Sequence, residues 1–360
     1  MAKENSANIS VSSLKNKERK RIKCRWHWGT LRHILLVLFT LVLALAVVVV
    51  MVLAQCFNGP SRAARTYVTQ ILTQSSALKF VPDLFMLTEE VDEAIAQGSV
   101  VASDEVTDVS LITVRAHETK SYTDDEATEE QWDENGVRVE EVNGGTYHGY
   151  MMIVQDPSRV FVGTCAPVFD RNKAGLRVDE MMEKFGAVAG INAGAFYDAN
   201  GAGTGGQALG LVYSQGEYRC NALNQYSWVA GFDKNDILHV GEFTKQEADE
   251  LELRDACAFG PALVINGVPS VSDDKGPNPR TAIGQRADGA VLLLVIDGRQ
   301  ANSLGATIGD MINVMMDYGA VNACNMDGGS STIMYYGKDK VNDGMTVSVS
   351  RKMPTAWLVK

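Results

Sequence analysis

Hydrophobic residues follow three patterns along this chain. From Ile34 to Ala54 they form one unbroken run, about 20 residues, the length that crosses a bilayer as a helix. From Ser61 to Gln74 and from Pro82 to Gln97 they recur at helical spacing, with Leu84, Leu87, Val91 and Ile95 in one stripe. From about Gly144 they gather into short runs separated by glycines and other turn residues.

Those short runs predict strands at Tyr150 to Val154, Val160 to Thr164, Ala187 to Asn192, Ala208 to Tyr213, Ile237 to Val240 and Ala262 to Ile265. Ala290 to Ile296, Val321 to Asn325 and Thr355 to Val359 read the same way, and Val106 to Arg115 is a further expected strand. Two helices stand among them. Val178, Met181, Met182 and Phe185 share one face, and Ile308, Met311, Ile312 and Met315 share another, with Gly319 as the expected C-terminal cap. The methionines read as core filler. The expected fold class is α/β (α+β): a mixed β-sheet flanked by helices in one extracytoplasmic domain, preceded by a single N-terminal transmembrane helix. The domain boundaries are 1–33 for a basic, disordered cytoplasmic tail, 34–54 for the anchor, 55–105 for a helical stalk or membrane-proximal segment, and 106–360 for the main domain.

Charge sharpens this picture. The 360 residues carry a formal charge of −11, yet Lys15, Lys17, Arg19, Lys20, Arg21, Lys23 and Arg25 crowd the N-terminus. Basic residues ahead of the apolar run place the N-terminus in the cytoplasm. The run exceeds a usual signal-peptide core and no small-x-small cleavage site follows, so an uncleaved anchor is expected. The acidic remainder argues against nucleic acid as a partner. Cys165, Cys220, Cys257 and Cys324 are widely spaced and read mainly as buried free thiols, and no Cys/His zinc spacing occurs.

Candidate chemistry lies where strands run into glycine. Asn325-Met326-Asp327-Gly328-Gly329-Ser330-Ser331-Thr332 sets a carboxylate after a buried strand and before two glycines and three hydroxyls. It is either an Asp-Gly hairpin turn or the mouth of a site where backbone N–H groups meet a ligand. Ala290 to Ile296 runs into Asp297-Gly298-Arg299, followed by Asn302, Ser303 and Thr307. The continuous apolar run predicts a strand buried on both faces. Thr307 leads into the methionine-rich helix, whose N-terminus could favour an anion. Asn278-Pro279-Arg280-Thr281 sets a stiff Pro before an Arg, the side chain suited to bidentate phosphate recognition. Asn192-Ala193-Gly194-Ala195-Phe196 closes another strand, with Asn192 as donor and acceptor, and Gly201 to Gly206 reads as a flexible rim or a surface loop. This inventory of carboxylates, arginines, amides and hydroxyls suits a phosphorylated sugar. A carboxylate would support an oxocarbenium-like centre or activate water. Serine-hydrolase chemistry is disfavoured, because no Gly-x-Ser-x-Gly elbow occurs.

Taken in order, Asn-Ala-Gly-Ala-Phe, Phe259-Gly260-Pro261-Ala262, Asn-Pro-Arg-Thr-Ala-Ile-Gly, Ile-Asp-Gly-Arg, Asn-Met-Asp-Gly-Gly-Ser-Ser and Arg351-Lys352-Met353-Pro354 resemble the phosphodiester glycosidase family. The resemblance runs from about Val137 to Lys360. It implies hydrolysis of a sugar-1-phosphodiester between the anomeric carbon and the phosphate oxygen. By motif, Arg280, Asp297, Arg299 and Asp327 are the family-like positions, with Asn192 and Ser330 supporting. From their side-chain chemistry we expect catalytic roles for Asp327, Asp297, Arg280 and Asn192, with Arg280 on phosphate and Asp327 nearest the reacting centre. Arg299, Asn302, Thr281, Gly328, Gly329, Ser330 and Ser331 are the expected substrate-binding residues. Ala193, Ala195 and Ser330 stand where the family often has glycine, and their Cβ atoms are expected to narrow the cleft. No cofactor is required and no transition-metal site is expected; a hard cation such as Ca²⁺ is left open. The expected partners are a phosphorylated glycan or cell-wall polymer and, through one N-terminal helix, the membrane. The expected location is a Gram-positive-like cell surface, with a single-pass anchor and the catalytic domain outside. A non-catalytic glycan-binding protein and a phosphoglycan transferase are the competing readings.

Overall fold

The computed structural model describes residues 4–75, 78–96, 100–101, 105–114, 132–198, 203–219, 228–272, 276–342 and 351–360. The chain divides into two compact units, Met1–Arg65 and Thr66–Lys360.

The first unit is dominated by helix α1, Glu4–Asn58. Its Gly29–Asn58 portion is long and apolar enough to cross a membrane, and its most apolar stretch is uncovered by protein, whereas Phe57 near its end is buried. Residues 4–33 were expected to be disordered; they continue this helix instead. Once an apolar segment has nucleated a helix, each added residue costs little, and no proline interrupts this stretch.

The second unit opens with α2, Arg62–Thr73, whose first residues belong to the preceding unit, and α3, Thr88–Ala96. Between them Pro82–Leu84 forms a 3-10 turn, so the expected helix over 82–97 is broken. Its stripe is not a buried one: Val91 is buried, whereas Leu84, Leu87 and Ile95 are exposed. The strand expected over Val106 to Arg115 is replaced, among its described residues, by a 3-10 turn at Val109–Leu111. There the Asp108 carboxylate accepts from the Ser110 N–H at 3.0 Å, the local bond by which Asp diverts a chain from strand to turn.

The core is a seven-stranded sheet in the order Val268–Pro269, Ala262–Ile265, Ala320–Met326, Arg280–Arg286, Val291–Ile296, His148–Val154 and Val137–Asn143. Every strand pairing among the described residues is antiparallel, so adjacent strands end in loops on shared edges. Val291–Ile296 is buried on both faces, as its unbroken apolar run predicts. Leu292, Leu294 and Ile296 pack with Met311, Ile312 and Met315 of α4, here Ile308–Asp317. Val291, Leu293 and Val295 enter the opposite core, shared with two five-stranded sheets. One of these contains Met334–Tyr336, Ala189–Asn192, Thr355–Val359 and Val160–Thr164; the other contains Val212–Ser214, Leu253–Ala258, Trp228–Asp233 and Leu238–Glu242. The outer face of the first is covered by the helix Val178–Phe185 through Met181 and Met182. The layers therefore run helix, sheet, sheet, helix. Cys257 and Cys324 are buried free thiols, and Cys165 is free as well.

Leu294 contacts both the helix layer and the neighbouring strands with no exposed surface. Leu294→Ala is expected to cost about 2–5 kcal/mol of stability, read from denaturant unfolding; a loss below about 1 kcal/mol would mean that the helix does not seal this face.

Candidate active site

Register brings the motifs together. Arg280 pairs with Ile296, and Thr281 pairs with Met326. Asp297 and Asp327 are the next residues along those two strands, so both carboxylates and Arg280 lie on one sheet edge. Neighbouring strands sit about 4.8 Å apart. Pro279 is where the loops meet. Its carbonyl accepts the Gly329 N–H at 2.9 Å, and a Cβ on Gly298 would lie 2.6 Å from its nitrogen. The Asp-Gly-Arg and Asp-Gly-Gly turns thus both close onto the Asn-Pro-Arg segment.

Asp327 is held by its backbone. Its N–H donates to the Ala193 carbonyl at 3.0 Å, and its carbonyl accepts from Asn192 Nδ2 at 2.5 Å. Its carboxyl is half-buried, and desolvation pushes the pKa up to about 6. The Ser331 hydroxyl, Arg351 and the Gly328 N–H pull it back, whereas Asp198 raises it further. Ser331 Oγ is buried beside the carboxylate, outside good hydrogen-bonding geometry, and acts through its dipole.

Two arginines flank the glycine turn. The Arg299 guanidinium lies over Gly329, with Nη1 3.7 Å from where a Cβ would stand. Gly329 has φ +63°, which suits glycine, while Arg299 itself has φ +58°, a costly value for a side-chain-bearing residue. Arg299 Nη2 donates to Asn278 Oδ1 at 2.9 Å. Among the described residues it has no carboxylate partner. On the other side Arg351 Nη1 donates to Ser330 Oγ at 3.0 Å, pairs with Asp198 at 2.5 Å and stacks over Phe196 at 4.9 Å.

The remaining expected site residues are placed differently. Arg280 turns toward the helix layer, with Nε donating to Ala306 O at 3.0 Å and Nη2 to Gly276 O at 3.1 Å. Asp297 is only 2% exposed, and its Oδ1 accepts from Asn342 Nδ2 at 2.8 Å. Asn192 is fully buried: its Oδ1 accepts from Thr281 Oγ1 at 2.9 Å and from the Ile333 N–H at 3.1 Å. Thr281 is buried behind it. These residues support the edge from below. Asn302 is exposed on the turn closed between Gln300 and Ser303. Ala193 and Ala195 are buried, so their methyl groups line the core and leave the cleft open. The N-terminus of α4 is already capped by its own Asp310, which accepts from the Thr307 N–H and hydroxyl. Gly203 to Gly206, the described part of the glycine loop, is tied down: Gly203 N–H meets Asp198, and Gly205 bridges to Ala174. No group of three or more His, Cys, Asp or Glu among the described residues could hold a metal ion.

Asp198, Asn278, Asn342 and Arg351 are the site residues that sequence reasoning did not pick out. Asn278 and Arg351 stood inside quoted motifs beside residues with louder chemistry. Asp198 and Asn342 carry no local signal.

Residues 185–360 match the phosphodiester glycosidase family. The matched stretch is just under half of the chain. It holds Asn192, Arg280, Asp297, Arg299, Asp327 and Arg351. The catalytic domain of zebrafish N-acetylglucosamine-1-phosphodiester alpha-N-acetylglucosaminidase, in a form auto-inhibited by its pro-peptide, shares the fold: TM-score 0.50, 20% identity, 62% of this chain and 81% of that one. The SPbeta prophage-derived uncharacterized protein YomE of Bacillus subtilis (strain 168) is 30% identical over 168 residues. That match spans 42% of this chain and about a quarter, 26%, of the relative.

Asn192 satisfies a carbonyl, a hydroxyl and an N–H at once. Asn192→Ala is expected to cost about 3 kcal/mol, since buried polar groups lose their partners. Thermal unfolding with circular dichroism checks this; an unchanged melting temperature would show that water replaces the amide.

Proposed function

We propose that the phosphodiester glycosidase domain hydrolyses a sugar-1-phosphodiester within a cell-envelope glycan or exopolysaccharide, outside the membrane to which the helix Gly29–Asn58 tethers it. The observation that carries the reading is the Asp327 carboxyl, pushed up to about 6 by desolvation beside a turn that Arg299 and Arg351 flank. The family match over residues 185–360 supports hydrolysis of a phosphodiester-linked sugar; the envelope substrate and the outer location are our extension.

Ionised Asp327 is the carboxylate nearest the anomeric carbon. Water adds there, the bond from that carbon to the phosphate oxygen breaks, and the phosphate leaves as a monoester while water's second proton passes to the site and then to solvent. A phosphate monoester is a weak base, so its departure needs no dedicated general acid. Arg299, with no carboxylate to neutralise it among the described residues, takes the phosphate role expected of Arg280, whose guanidinium is engaged by backbone carbonyls. Arg351 is already paired with Asp198 and holds the turn through Ser330. Asp297, Asn192 and Thr281 position the strand ends. A non-catalytic glycan-binding role drew support from the alanines of the Asn192 motif, and their burial removes that support.

Asp327→Asn is expected to lower kcat on a sugar-1-phosphodiester by about 10³-fold with the fold intact. Release of free sugar is the readout, and full turnover by the variant would sink the assignment. Because Asp327 must be ionised, kcat/KM should rise with pH through about 6. The Ser331 hydroxyl holds that value down, so Ser331→Ala should move the rising limb to higher pH. A limb that stays in place or moves lower would assign it to another group.

A further inference from the structure

Asn278 stands between the arginine over the glycine turn and a residue far upstream of the family-matched domain. It is 3% exposed. Its backbone is clamped to Ala306 in both directions, at 3.1 and 3.0 Å. Its side-chain oxygen accepts from Arg299 Nη2 at 2.9 Å. Its side-chain nitrogen donates to the Gly276 carbonyl at 3.2 Å and to Oε1 of Gln74.

Gln74 follows directly on α2 and belongs to the same compact unit. The same Oε1 accepts from Arg280 Nη2 at 3.1 Å. One turn earlier Gln70, 2% exposed, donates through Nε2 to the Ala94 carbonyl at 3.0 Å and ties the end of α2 to α3. The Gln74 N–H donates to the Gln70 carbonyl at 3.2 Å. The main chain of Gln74 is thus held in place, and its exposed side chain presents an acceptor to the rear of the site.

We propose that Gln74 is a positioning residue for phosphate recognition, acting on Arg299 through Asn278. An amide can present either end to a guanidinium. Only its oxygen is attractive there, because its nitrogen would set donor against donor. By accepting from Asn278 Nδ2 alongside the Gly276 carbonyl, Gln74 helps to fix the orientation in which Oδ1 faces Arg299. Among the described residues Arg299 has no carboxylate partner, so its direction over Gly329 depends on this neutral bond, and its charge stays available to an anion. A carboxylate at position 278 would hold the arginine but cancel that charge. The segment joining the apolar helix to the matched domain then contributes to the site itself. The inference rests on Arg299 as the phosphate-binding arginine.

The test uses the full chain, with inorganic phosphate as ligand and a sugar-1-phosphodiester as substrate. Gln74→Ala is expected to weaken phosphate binding by about 5-fold, the scale of one lost hydrogen bond, and to raise KM alike while kcat moves less than about 2-fold. Placed on Asn278→Ala, it should cause no further loss, because both act along one path. Gln74→Met, which keeps the length but not the acceptor, should match Gln74→Ala and serves if the alanine variant folds poorly. Unchanged phosphate affinity in both Gln74 variants, or a loss that persists on Asn278→Ala, would overturn the proposal. If Arg299→Ala weakens phosphate binding while the Gln74 variants do not, the relay alone fails. If Arg299→Ala leaves phosphate binding intact, the role of Arg299 fails and the relay with it.

Discussion

The register of three antiparallel strands organises this domain. Thr281 opposite Met326 and Arg280 opposite Ile296 put the ends of Arg280–Arg286, Val291–Ile296 and Ala320–Met326 on one edge. A slip of one residue would reverse every side chain, moving Met326 out of the inter-sheet core and Leu294 out of the helix layer. Burial on both faces forbids that slip. The carboxylates that follow Ile296 and Met326 thereby inherit their place from hydrophobic packing. Pro279 then draws the loops together, through its carbonyl bond to Gly329 and its close approach to Gly298.

Packing also sets the chemistry. Asp327 is fastened through its main chain to Ala193 and Asn192 of the opposing five-stranded sheet. Those bonds fix the backbone from which the carboxyl projects, and desolvation there raises its pKa. Arg351 and the Ser331 dipole offset part of that burden. A group left near the middle of the titration range by this balance can change protonation state at modest cost, which a fully solvated aspartate at the same pH would not do.

What could be read in the sequence follows from the range of the forces involved. Val160–Thr164, Ala262–Ile265 and Thr355–Val359 coincide with the expected strands, because short apolar runs bounded by turn residues leave few alternatives. The methionine stripes of the two core-facing helices were equally plain. Val106 to Arg115 failed where a side-chain bond from Asp108 outweighed alternation. Of the candidate site, the placement of Asp327 and Arg299 at strand ends was legible, because glycine beside a charge after a buried strand is a local signature. The direction of Arg280 was not: it depends on Ala306 and Gly276, which only the fold brings within reach. Asp198 and Asn342 were invisible for the same reason, since each acts on a residue more than 40 positions away.

The arginines of the site illustrate a division that charge alone cannot express. Arg351 has a carboxylate partner, a ring beneath it and a hydroxyl to hold, so its charge is largely committed to structure. Arg280 is spent on carbonyl oxygens. Among the described residues the Arg299 guanidinium is anchored by one neutral amide oxygen, while its backbone occupies a costly left-handed conformation. Such strain persists only where surrounding contacts over-determine it, and here they do: Arg299 N–H bonds the Leu304 carbonyl, Leu304 N–H bonds Thr146, and Ser303 Oγ bonds the Asp297 carbonyl. The fold therefore holds a cation rigidly without neutralising it. That combination suits an anionic substrate better than either a flexible surface arginine or a fully paired buried one.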